Sequence, residues 1–376
     1  MNKVLIVSNF YYPHIGGIEQ VAHDCAETLK SQYEVKVICF NSQNNDSVEI
    51  IDGVEVTKCA ANVKVFSQVL SATFSRNLKN LMNTFNPDVV IFNYPNPFAA
   101  HYTLKHIKDT TRLILYWNSD IVKQKVLRAL FVKQNHLLLK RAARIIATSP
   151  NYILGSPYLS KYKDKCRVIP CCIDINRLAL TQEERQHASI LKKKWDNQVI
   201  CIAVGRHVEY KGFEYLIRAS KLINGNTIIL LAGDGPLTDR LKRLSVNCKN
   251  VIFLGKLTDG ELREYLSISD ICCFPSITKN EAFGISLAEA LYFGKPAITF
   301  TIPGSGVNYV SLNNETGLEV ENRNVQKLAK AIDILADDPS LRVALGENAH
   351  KRASELFSFG RFSNSIKEEI EFTLQN

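Results

Sequence analysis

The hydrophobic positions along the chain fall into two alternating patterns, which predict strands and helices in turn. Short, mostly apolar runs recur as far as residue 300, and such runs are typical of strands that are buried on both faces. The segments between them carry apolar residues three or four positions apart, which is the spacing of a helix with one buried face. Strands that alternate with helices predict parallel sheets covered by helices, an α/β architecture.

The predicted elements form two sets. The first has strands at residues 3–8, 34–40, 54–59, 88–92, 112–117 and 144–148, with helices at residues 18–29 and 65–85. The pattern then restarts, with strands at residues 166–169, 199–205, 227–232, 251–254, 271–274 and 296–300, a helix at residues 325–336 and a helical tail from Pro339. The polar segment 181–196 is expected to connect two domains. Each half is therefore expected to be a doubly wound domain that binds ligands at the carboxyl ends of its strands.

Length and composition agree with this organisation. A chain of 376 residues exceeds one ordinary core and fits two domains. The sequence contains no long uncharged apolar run, so no membrane-spanning helix is expected, and the first apolar run is too short for a signal peptide. None of the ten cysteines forms a Cys-x-x-Cys pair, which predicts reduced core residues in a cytoplasmic protein.

Two carboxylates bracket a predicted helix N-terminus between residues 270 and 294. Pro275 ends a strand, a polar loop runs to Glu281, and Gly284 opens an apolar helix that carries Glu289. Backbone N–H groups at such a terminus can meet an anion. One carboxylate could then bind a sugar hydroxyl and the other a ribose diol. The alternative is that Glu289 complements the helix dipole and that Glu281 is a solvated loop residue.

Cations and glycines follow two other predicted strands. Arg206 and Lys211 lie after the strand at residues 199–205, where they suit a diphosphate leaving group, although two surface cations are the alternative. The paired Gly16 and Gly17 would allow close approach of a ligand to the backbone. The Gly-x-Gly-x-x-Gly fingerprint and a Walker A lysine are missing after Ser8, which argues against a dinucleotide enzyme and an ATPase.

These residues, in this order, resemble the family-4 retaining glycosyltransferases (glycosyltransferase group 1), whose signature is Glu, seven residues, Glu, with Phe-Gly after the first, here residues 281–289. The resemblance implies a GT-B fold, α/β with two Rossmann-like doubly wound parallel-sheet domains and a cleft between them. It implies an acceptor domain at residues 1–175, a nucleotide-sugar donor domain at residues 176–356, and a C-terminal helix at about residues 357–376 that packs back on the first domain.

The resemblance also implies roles for individual residues. The catalytic residues would be Arg206, Lys211, Glu281 and Asn118. Those expected to bind the donor are Gly16, Gly17, Arg206, Lys211, Lys256, Leu257, Glu281, Phe283, Gly284, Ile285, Ser286 and Glu289. For Gly233–Pro236 and for Lys256–Leu257, a simple strand-end turn is the alternative. No Asp-x-Asp motif occurs in the sequence, so no metal is expected, and the nucleotide-sugar is a co-substrate rather than a cofactor.

Asn118 departs from the family pattern, which commonly has a histidine at this place. Asparagine can hydrogen-bond a sugar hydroxyl but cannot titrate. The family's front-face view of retaining transfer, in which the departing phosphate takes the acceptor's proton, needs no histidine. A strand-end turn residue is the alternative for Asn118, and Asp120 and His14 are further candidates for the cleft.

Segments 119–125 and 148–152 look similar to bacterial O-antigen mannosyltransferases. They favour transfer of mannose from GDP-mannose to a lipid-linked glycan in surface polysaccharide (lipopolysaccharide O-antigen) synthesis. The alternatives are a UDP-sugar-dependent transferase of the same family, a nucleotide-sugar epimerase or hydrolase on the same fold, and a non-catalytic membrane-associated scaffold.

The excess positive charge lies in one segment. Residues 101–200 carry 19 Lys and Arg against 7 Asp and Glu, within a net charge of +9 for the chain. We expect the basic segment 123–167 to bind the anionic inner face of the cytoplasmic membrane. Its basic residues are Lys123, Lys125, Arg128, Lys133, Lys140, Arg141, Arg144, Lys161, Lys163, Lys165 and Arg167. A solvated helix face is the alternative, and no nucleic-acid-binding motif is present.

Overall fold

The structure, a computed structural model, describes residues 1–14, 16–65, 68–121 and 125–375. The chain divides into two compact units. The first comprises Met1–Cys171 and Gly360–Asn376, and the second comprises Cys172–Phe359. Within the described ranges, no helix is long and apolar enough to cross a membrane.

The first unit is built on one large sheet. The strands of the first unit are β1 (Lys3–Val7), β2 (Glu34–Phe40), β3 (Ser47–Ile51), β4 (Val54–Cys59), β5 (Val63–Val65), β6 (Gln68–Leu70), β7 (Val89–Tyr94), β8 (Arg112–Trp117), β9 (Arg144–Ala147) and β10 (Cys166–Val168), of which β5 and β6 form a separate hairpin. Its helices before the second unit are α1 (Gly17–Leu29), α2 (Phe74–Thr84), α3 (Pro97–His106), α4 (Lys125–Arg141) and α5 (Pro150–Gly155). The sheet order is β10-β9-β8-β7-β1-β2-β4-β3, and its strands are parallel except for β3, which runs antiparallel to β4.

The second unit repeats the architecture with a fully parallel sheet. Its strands are β11 (Val199–Val204), β12 (Thr227–Ala232), β13 (Val251–Gly255), β14 (Ile271–Phe274), β15 (Ala297–Phe300) and β16 (Gly317–Val320). Its helices are α6 (Ile175–Leu178), α7 (Gln182–Lys193), α8 (Phe213–Ala219), α9 (Thr238–Leu244), α10 (Asp259–Ile268), α11 (Ile285–Tyr292), α12 (Val307–Val310), α13 (Val325–Asp337) and α14 (Pro339–Leu356). The last helix, α15 (Phe359–Gln375), lies almost entirely in the first unit.

The strand order reverses once in each sheet. In the first unit β1 lies between β2 and β7, and in the second unit β11 lies between β12 and β14. At such a switch point the loops after the two central strands diverge to opposite faces, which leaves a crevice at their carboxyl ends. Apart from Lys256 and Leu257, which follow β13, the candidate donor-site residues of the second unit follow β11 and β14, the two strands on either side of its switch point.

Three sequence-based element predictions were wrong. The helix predicted at residues 65–85 begins only at Phe74, because the valines before it form the hairpin of β5 and β6, as β-branched residues favour. The segment 181–196 is mostly helix α7, which starts at a capping box of Thr181 and Glu184. The strand near residue 166 pairs with β9 and thus completes the first sheet. Strands β3 and β16 were missed.

The two sheet cores bury the cysteines, and burial raises the pKa of several of their thiols. Strands β7 and β12 are buried along their whole length, as expected for the middle of a sheet with both faces covered. All ten cysteines are free and buried, as the sequence predicted. Burial raises the pKa of Cys59 and of Cys171 to about 12, so neither thiol is reactive at neutral pH.

Helix α15 is fastened to the first unit by a buried cation. The Arg144 guanidinium lies 3.0 Å from Glu369 Oε2 and stacks on the Phe372 ring at 3.8 Å, while Arg167 reaches Glu369 Oε1 at 3.3 Å. Only 9% of the Arg144 side chain and 12% of the Glu369 side chain are exposed. Glu369 is therefore the anion that allows Arg144 to be buried.

We expect Glu369→Ala to destabilise the first unit by about 3–5 kcal/mol, because it leaves the Arg144 charge buried without its carboxylate. Glu368→Ala, at an exposed neighbour on the same helix, should change stability by less than about 0.5 kcal/mol. The free energy of unfolding of both variants is measured by urea titration, with unfolding of the first unit detected by limited proteolysis at sites within it. Equal stability of the two would show that the ion pair does not hold α15 in place.

Candidate functional site

A buried ion pair lies at the switch point of the second unit. Lys211 Nζ and Glu281 Oε2 are 2.5 Å apart, and 11% of each side chain is exposed. Lys211 belongs to the loop after β11 (residues 205–212, here the β11 loop), and Glu281 belongs to the loop after β14 (residues 275–284, here the β14 loop). The sequence-predicted cation and carboxylate are thus brought together at the carboxyl ends of the two central strands.

Glycine lets the two loops pack backbone against backbone. Gly212 has a φ of +66°, and a Cβ there would lie 2.1 Å from the Pro275 carbonyl oxygen. The amide of Ile277 donates to the Tyr210 carbonyl at 2.9 Å, which fastens the loops together beside the ion pair. Any side chain at position 212 would push the loops apart and separate Lys211 from Glu281.

Two serines that the sequence reasoning missed hold Glu281. Ser276 Oγ donates to Glu281 Oε2 at 3.1 Å, and Ser305 Oγ donates to the Glu281 carbonyl oxygen at 2.5 Å. A Cβ at Gly306 would lie 1.9 Å from the Ala282 carbonyl oxygen. The turn at residues 304–306 was predicted only as a turn, yet it supports the β14 loop from 24 residues away.

Arg206 is exposed at the β11 loop, on a backbone that is fixed from beneath. The next residue, His207, is fully buried, and its Nδ1 lies 2.8 Å from Thr238 Oγ1. Burial lowers the pKa of His207, so its ring is neutral at physiological pH. The neutral ring anchors the loop while the Arg206 guanidinium extends toward solvent, where an anionic ligand can reach it.

Helix α11 begins directly after the ion pair. Its N-cap, Gly284, has a φ of +97°, and a Cβ there would lie 3.0 Å from the Phe274 ring. Phe283 is buried edge-on against Phe357, with ring centroids 5.2 Å apart. Ser286 Oγ donates to the Val204 carbonyl oxygen at 3.3 Å, and Ile285 is half-buried beside it. These contacts place the first turn of α11 next to the end of β11.

Glu289 is buried on α11 with an arginine as its partner. The side chain is 5% exposed, and its Oε1 accepts a hydrogen bond of 2.5 Å from Arg177 Nη2. Burial raises the pKa of Glu289 to about 7, against the opposing effect of the Arg177 guanidinium. Sequence reasoning required some partner for this carboxylate but did not find Arg177, which is 112 residues away in the short helix α6.

Lys256 and Leu257 lie between β13 and α10. Lys256 is exposed and Leu257 is half-buried. The next residue, Thr258, forms a capping box with Glu261 at the start of α10, and this fixes the end of the loop. Their predicted place beside a nucleotide base stays a prediction.

The glycine pair of the first unit is placed at the start of α1. Gly16 is the N-cap, and its φ of −173° is open to any residue. A Cβ there would meet only the end of the flexible Glu19 side chain, so the fold itself does not require glycine. Their predicted close approach to a ligand stays a prediction.

Asn118 and Asp120 follow β8 but have different surroundings. Asn118 is buried, and its Nδ2 donates to the Tyr94 carbonyl at 3.0 Å. Asp120 is also buried and accepts hydrogen bonds from Trp117 Nε1 at 3.0 Å and Ser156 Oγ at 2.8 Å. Asp120 therefore holds the end of β8 together. His14, the remaining candidate, lies against the Phe10 ring, with centroids 4.5 Å apart.

Two further polar side chains at the first unit's switch point were missed. Ser8 directly follows β1, and Asn93 lies near the end of β7. Both are at most 2% exposed, and neither side chain has a hydrogen-bond partner among the described residues. The register of β1 and β7 is the feature that identifies these two residues, because Val7 pairs with Phe92 and this pairing brings Ser8 beside Asn93.

Part of the basic segment has intramolecular roles. Arg144 and Arg167 pair with Glu369, Arg141 donates to the carbonyls of Lys108 and Thr111, and Lys165 Nζ donates to the carbonyls of Lys140 and Ala142. These four cations are engaged within the protein and add little to a surface charge, and the predicted membrane contact of the segment stays a prediction that depends on its other basic residues. Lys123 lies outside the described residues, as do the side chains of Lys125 and Arg128.

Two family models match successive parts of the chain. The model described as Glycosyltransferase Family 4 matches residues 15–177, and the model described as Glycosyl transferases group 1 matches residues 183–352. Together they cover most of both units.

Named relatives match over nearly the whole chain. The O-antigen chain mannosyltransferase C of Escherichia coli is 28% identical over 95% of this chain and 94% of its own length. The D-rhamnosyltransferase WbpZ of Pseudomonas aeruginosa is 30% identical over 92% of this chain and 89% of its own length. Among solved structures, Anabaena HepE in complex with UDP-glucose superposes with a TM-score of 0.78, at 17% identity, over 98% of this chain and 99% of its own.

Proposed function

This chain belongs to the family-4 glycosyltransferases and has their GT-B fold, and we propose that it transfers mannose with retention from GDP-mannose to a lipid-linked glycan. It is thus a glycosyltransferase rather than an epimerase, a hydrolase or an inactive scaffold. The reaction would contribute to a bacterial surface polysaccharide of the O-antigen type. The observation that carries the proposal is the buried Lys211–Glu281 pair at the second unit's switch point, with Arg206 exposed beside it.

The charged groups at the switch point of the second unit suit a nucleoside diphosphate leaving group. When the bond between the sugar C1 and the phosphate oxygen breaks, negative charge develops on the diphosphate. Lys211 is held by Glu281, and Arg206 projects from an anchored loop. Cations that are fixed before the reaction stabilise developing charge without reorganisation. With two cations at the diphosphate, the proposed reaction needs no metal ion.

Retention follows if the acceptor attacks from the face that the diphosphate leaves. The acceptor oxygen forms a bond to C1 on that face, and its proton passes to the departing phosphate oxygen. The site then needs no titrating base in the first unit, and Asn118, which cannot titrate, is compatible with this route. Its proposed task is to orient a sugar hydroxyl.

The remaining donor contacts are assigned by position. Glu281 would accept a hydrogen bond from a sugar hydroxyl, and the first turn of α11 would lie against the phosphates through the backbone of Gly284 to Ser286. Glu289 would bind the ribose diol. Lys256 and Leu257 would lie beside the base, and Gly16 and Gly17 would approach the donor from the first unit.

We assign the acceptor to residues 1–175 with the returning helix at residues 357–376, and the donor to residues 176–356. Ser8 and Asn93 support the first assignment, because buried polar groups that have no hydrogen-bond partner in the described part of the chain, at a switch point, suit the hydroxyls of a glycan. The second assignment is supported by the cations and carboxylates of the β11 and β14 loops.

The identity of the sugar is argued from the relatives. The Escherichia coli relative is named as an O-antigen mannosyltransferase, which favours mannose, whereas the Pseudomonas aeruginosa relative is named for D-rhamnose. The HepE complex contains UDP-glucose, which makes a UDP-sugar the alternative donor.

A thermal-shift screen of GDP-, UDP- and dTDP-sugars tests the donor. A sugar nucleotide at 100 times its Kd should stabilise the protein by about 2.7 kcal/mol, and we expect GDP-mannose to do so. Turnover with a lipid-linked acceptor should then give an α-linked product, read by NMR, and should persist in EDTA. Stabilisation by UDP-sugars alone would show that the donor is a UDP-sugar and not GDP-mannose. A β-linked product would exclude retention. Loss of activity in EDTA with recovery in Mg²⁺ would exclude metal independence.

Arg206→Ala should lower kcat by about 10²–10³, the usual scale for one electrostatic group that stabilises developing charge. Arg240→Ala, at an exposed arginine on α9 of the same unit, is the matched control and should leave kcat unchanged. Steady-state kinetics in which donor and acceptor are each varied up to saturation give kcat and both KM values for the two variants. An effect confined to the acceptor KM would move Arg206 away from the diphosphate.

We also propose that the first unit attaches peripherally to the inner face of the cytoplasmic membrane. Lys133, Lys140, Lys161 and Lys163 are exposed, and Leu137 and Leu154 near them are 50% and 66% exposed. Basic residues beside exposed apolar ones suit an anionic bilayer surface. A lipid-linked acceptor would be met at that surface.

Reversal of Lys140, Lys161 and Lys163 to Glu should weaken binding to anionic vesicles by at least about a hundredfold, because the loss of about 1 kcal/mol for each basic residue alone gives that factor. A triple reversal in the second unit, at the exposed Lys221, Lys242 and Arg243, should have little effect. Co-sedimentation with vesicles of anionic or neutral lipid measures both. Equal binding to anionic and neutral vesicles would refute the attachment. Equal weakening of binding by the two triple variants would refute it as well.

A further inference from the structure

Arg177 is built into the second unit so that its guanidinium meets the Glu289 carboxylate. Its backbone is held from two sides: its amide donates to Asp174 Oδ1 at 3.2 Å, and its carbonyl accepts from Arg263 Nη1 at 2.7 Å. Arg263 is itself fixed by two hydrogen bonds to Glu184, at 3.0 and 2.5 Å. These contacts fix the backbone from which the Arg177 side chain reaches Glu289.

The carboxylate keeps room for another ligand. Arg177 Nη2 binds Glu289 Oε1, and the second guanidinium nitrogen lies 3.6 Å from Asp259 Oδ1. A carboxylate has about four acceptor positions on its two oxygens, so one arginine hydrogen bond leaves enough for a pair of hydroxyls. The Arg177 side chain is 36% exposed, so it forms one wall of the site rather than sealing it.

The charges around Glu289 act in opposite directions. Burial and Asp259, from α10, favour the neutral carboxyl, and Arg177, from α6, favours the carboxylate. On α14, which packs against α11, His350 and Arg352 are engaged with the carbonyls of Tyr292, Tyr309 and Val310. Among these groups, Arg177 is the one that favours the ionised form of the Glu289 carboxyl.

We propose that Arg177 is a positioning residue for the donor: it keeps the Glu289 carboxylate ionised and oriented to accept two hydrogen bonds from the vicinal diol of the ribose. This rests on the proposed donor role of Glu289. It makes nucleotide affinity rise with pH across neutrality, because a protonated Glu289 has lost an acceptor and its charge-assisted hydrogen bonds. It also makes the contribution of Arg177 specific to nucleotides that carry an intact diol.

Calorimetry with GDP between pH 5.5 and 9 tests the proposal. GDP affinity should rise with pH through about 7, the pKa of Glu289. Arg177→Gln should move this rise upward by at least one pH unit, which weakens affinity at pH 7 by at least about fivefold because the ionised fraction of Glu289 falls from about one half to about one tenth, and affinity should recover at higher pH. Arg177→Lys should move it less. The GDP phosphate also titrates near pH 6, and Glu289→Gln, which removes only the carboxyl titration, measures that contribution.

A nucleotide that lacks the 2′-hydroxyl provides a second, independent test of the proposal. 2′-Deoxy-GDP should bind wild type more weakly than GDP, and Arg177→Gln should weaken its binding less than that of GDP, because only the 3′-hydroxyl remains to bind Glu289. Arg185→Gln, at an exposed arginine on α7, is the matched control and should behave as wild type.

The outcomes separate the two ideas. If Glu289→Gln binds GDP as wild type does, the donor role of Glu289 is wrong. If Glu289→Gln weakens GDP but Arg177→Gln and Arg177→Lys keep the wild-type pH profile, or if Arg177→Gln weakens GDP and 2′-deoxy-GDP equally, Arg177 does not position the carboxylate. Should UDP prove to be the bound nucleotide, UDP and 2′-deoxy-UDP replace the guanosine pair.

Discussion

The ion pair of Lys211 and Glu281 is the constraint around which the second unit is arranged. Two nearly buried opposite charges are tolerable only as a pair with further hydrogen bonds, and Ser276 supplies one of these. To bring the pair together, two loops from neighbouring strands must pack backbone against backbone. That packing in turn demands glycine at position 212, where the φ is positive and the Pro275 carbonyl leaves no space. The sequence features that mark the site are thus consequences of one electrostatic contact.

What the sequence revealed about this site was local in the chain. Strands β11 and β14, the Gly205 and Pro275 that end them and the two glutamates each follow from a run of a few residues, so pattern and spacing were sufficient. Arg177 and Ser305 could not be found in this way. Each completes the site through a hydrogen bond to a residue 112 or 24 positions away, and nothing in its own neighbourhood distinguishes it from a surface residue.

The errors in the fold have the same origin. Helix α7 looked like a polar connection because its one buried residue, Ala188, is too small to create a hydrophobic pattern. What orders it is its capping box and the contact of His187 with Glu264 on α10, at 2.7 Å. Asn118 and Asp120 illustrate the limit within one loop. Both are polar residues at a strand end. Asp120, however, accepts hydrogen bonds from the indole of Trp117 and the hydroxyl of Ser156, and Ser156 comes near only in the folded chain.

The path of helix α15 also affects how the protein is made. The first unit is not continuous in sequence, since the chain leaves it after Cys171 and returns at Gly360. A ribosome that has released the first 171 residues has therefore released a sheet whose buried Arg144 still lacks Glu369. The whole second unit must be synthesised before that charge is neutralised. All residues of the second unit are synthesised before α15, whereas the first unit waits for a contact of very high sequence separation, which is slow to form. The first unit can therefore be completed only after the whole second unit has been synthesised.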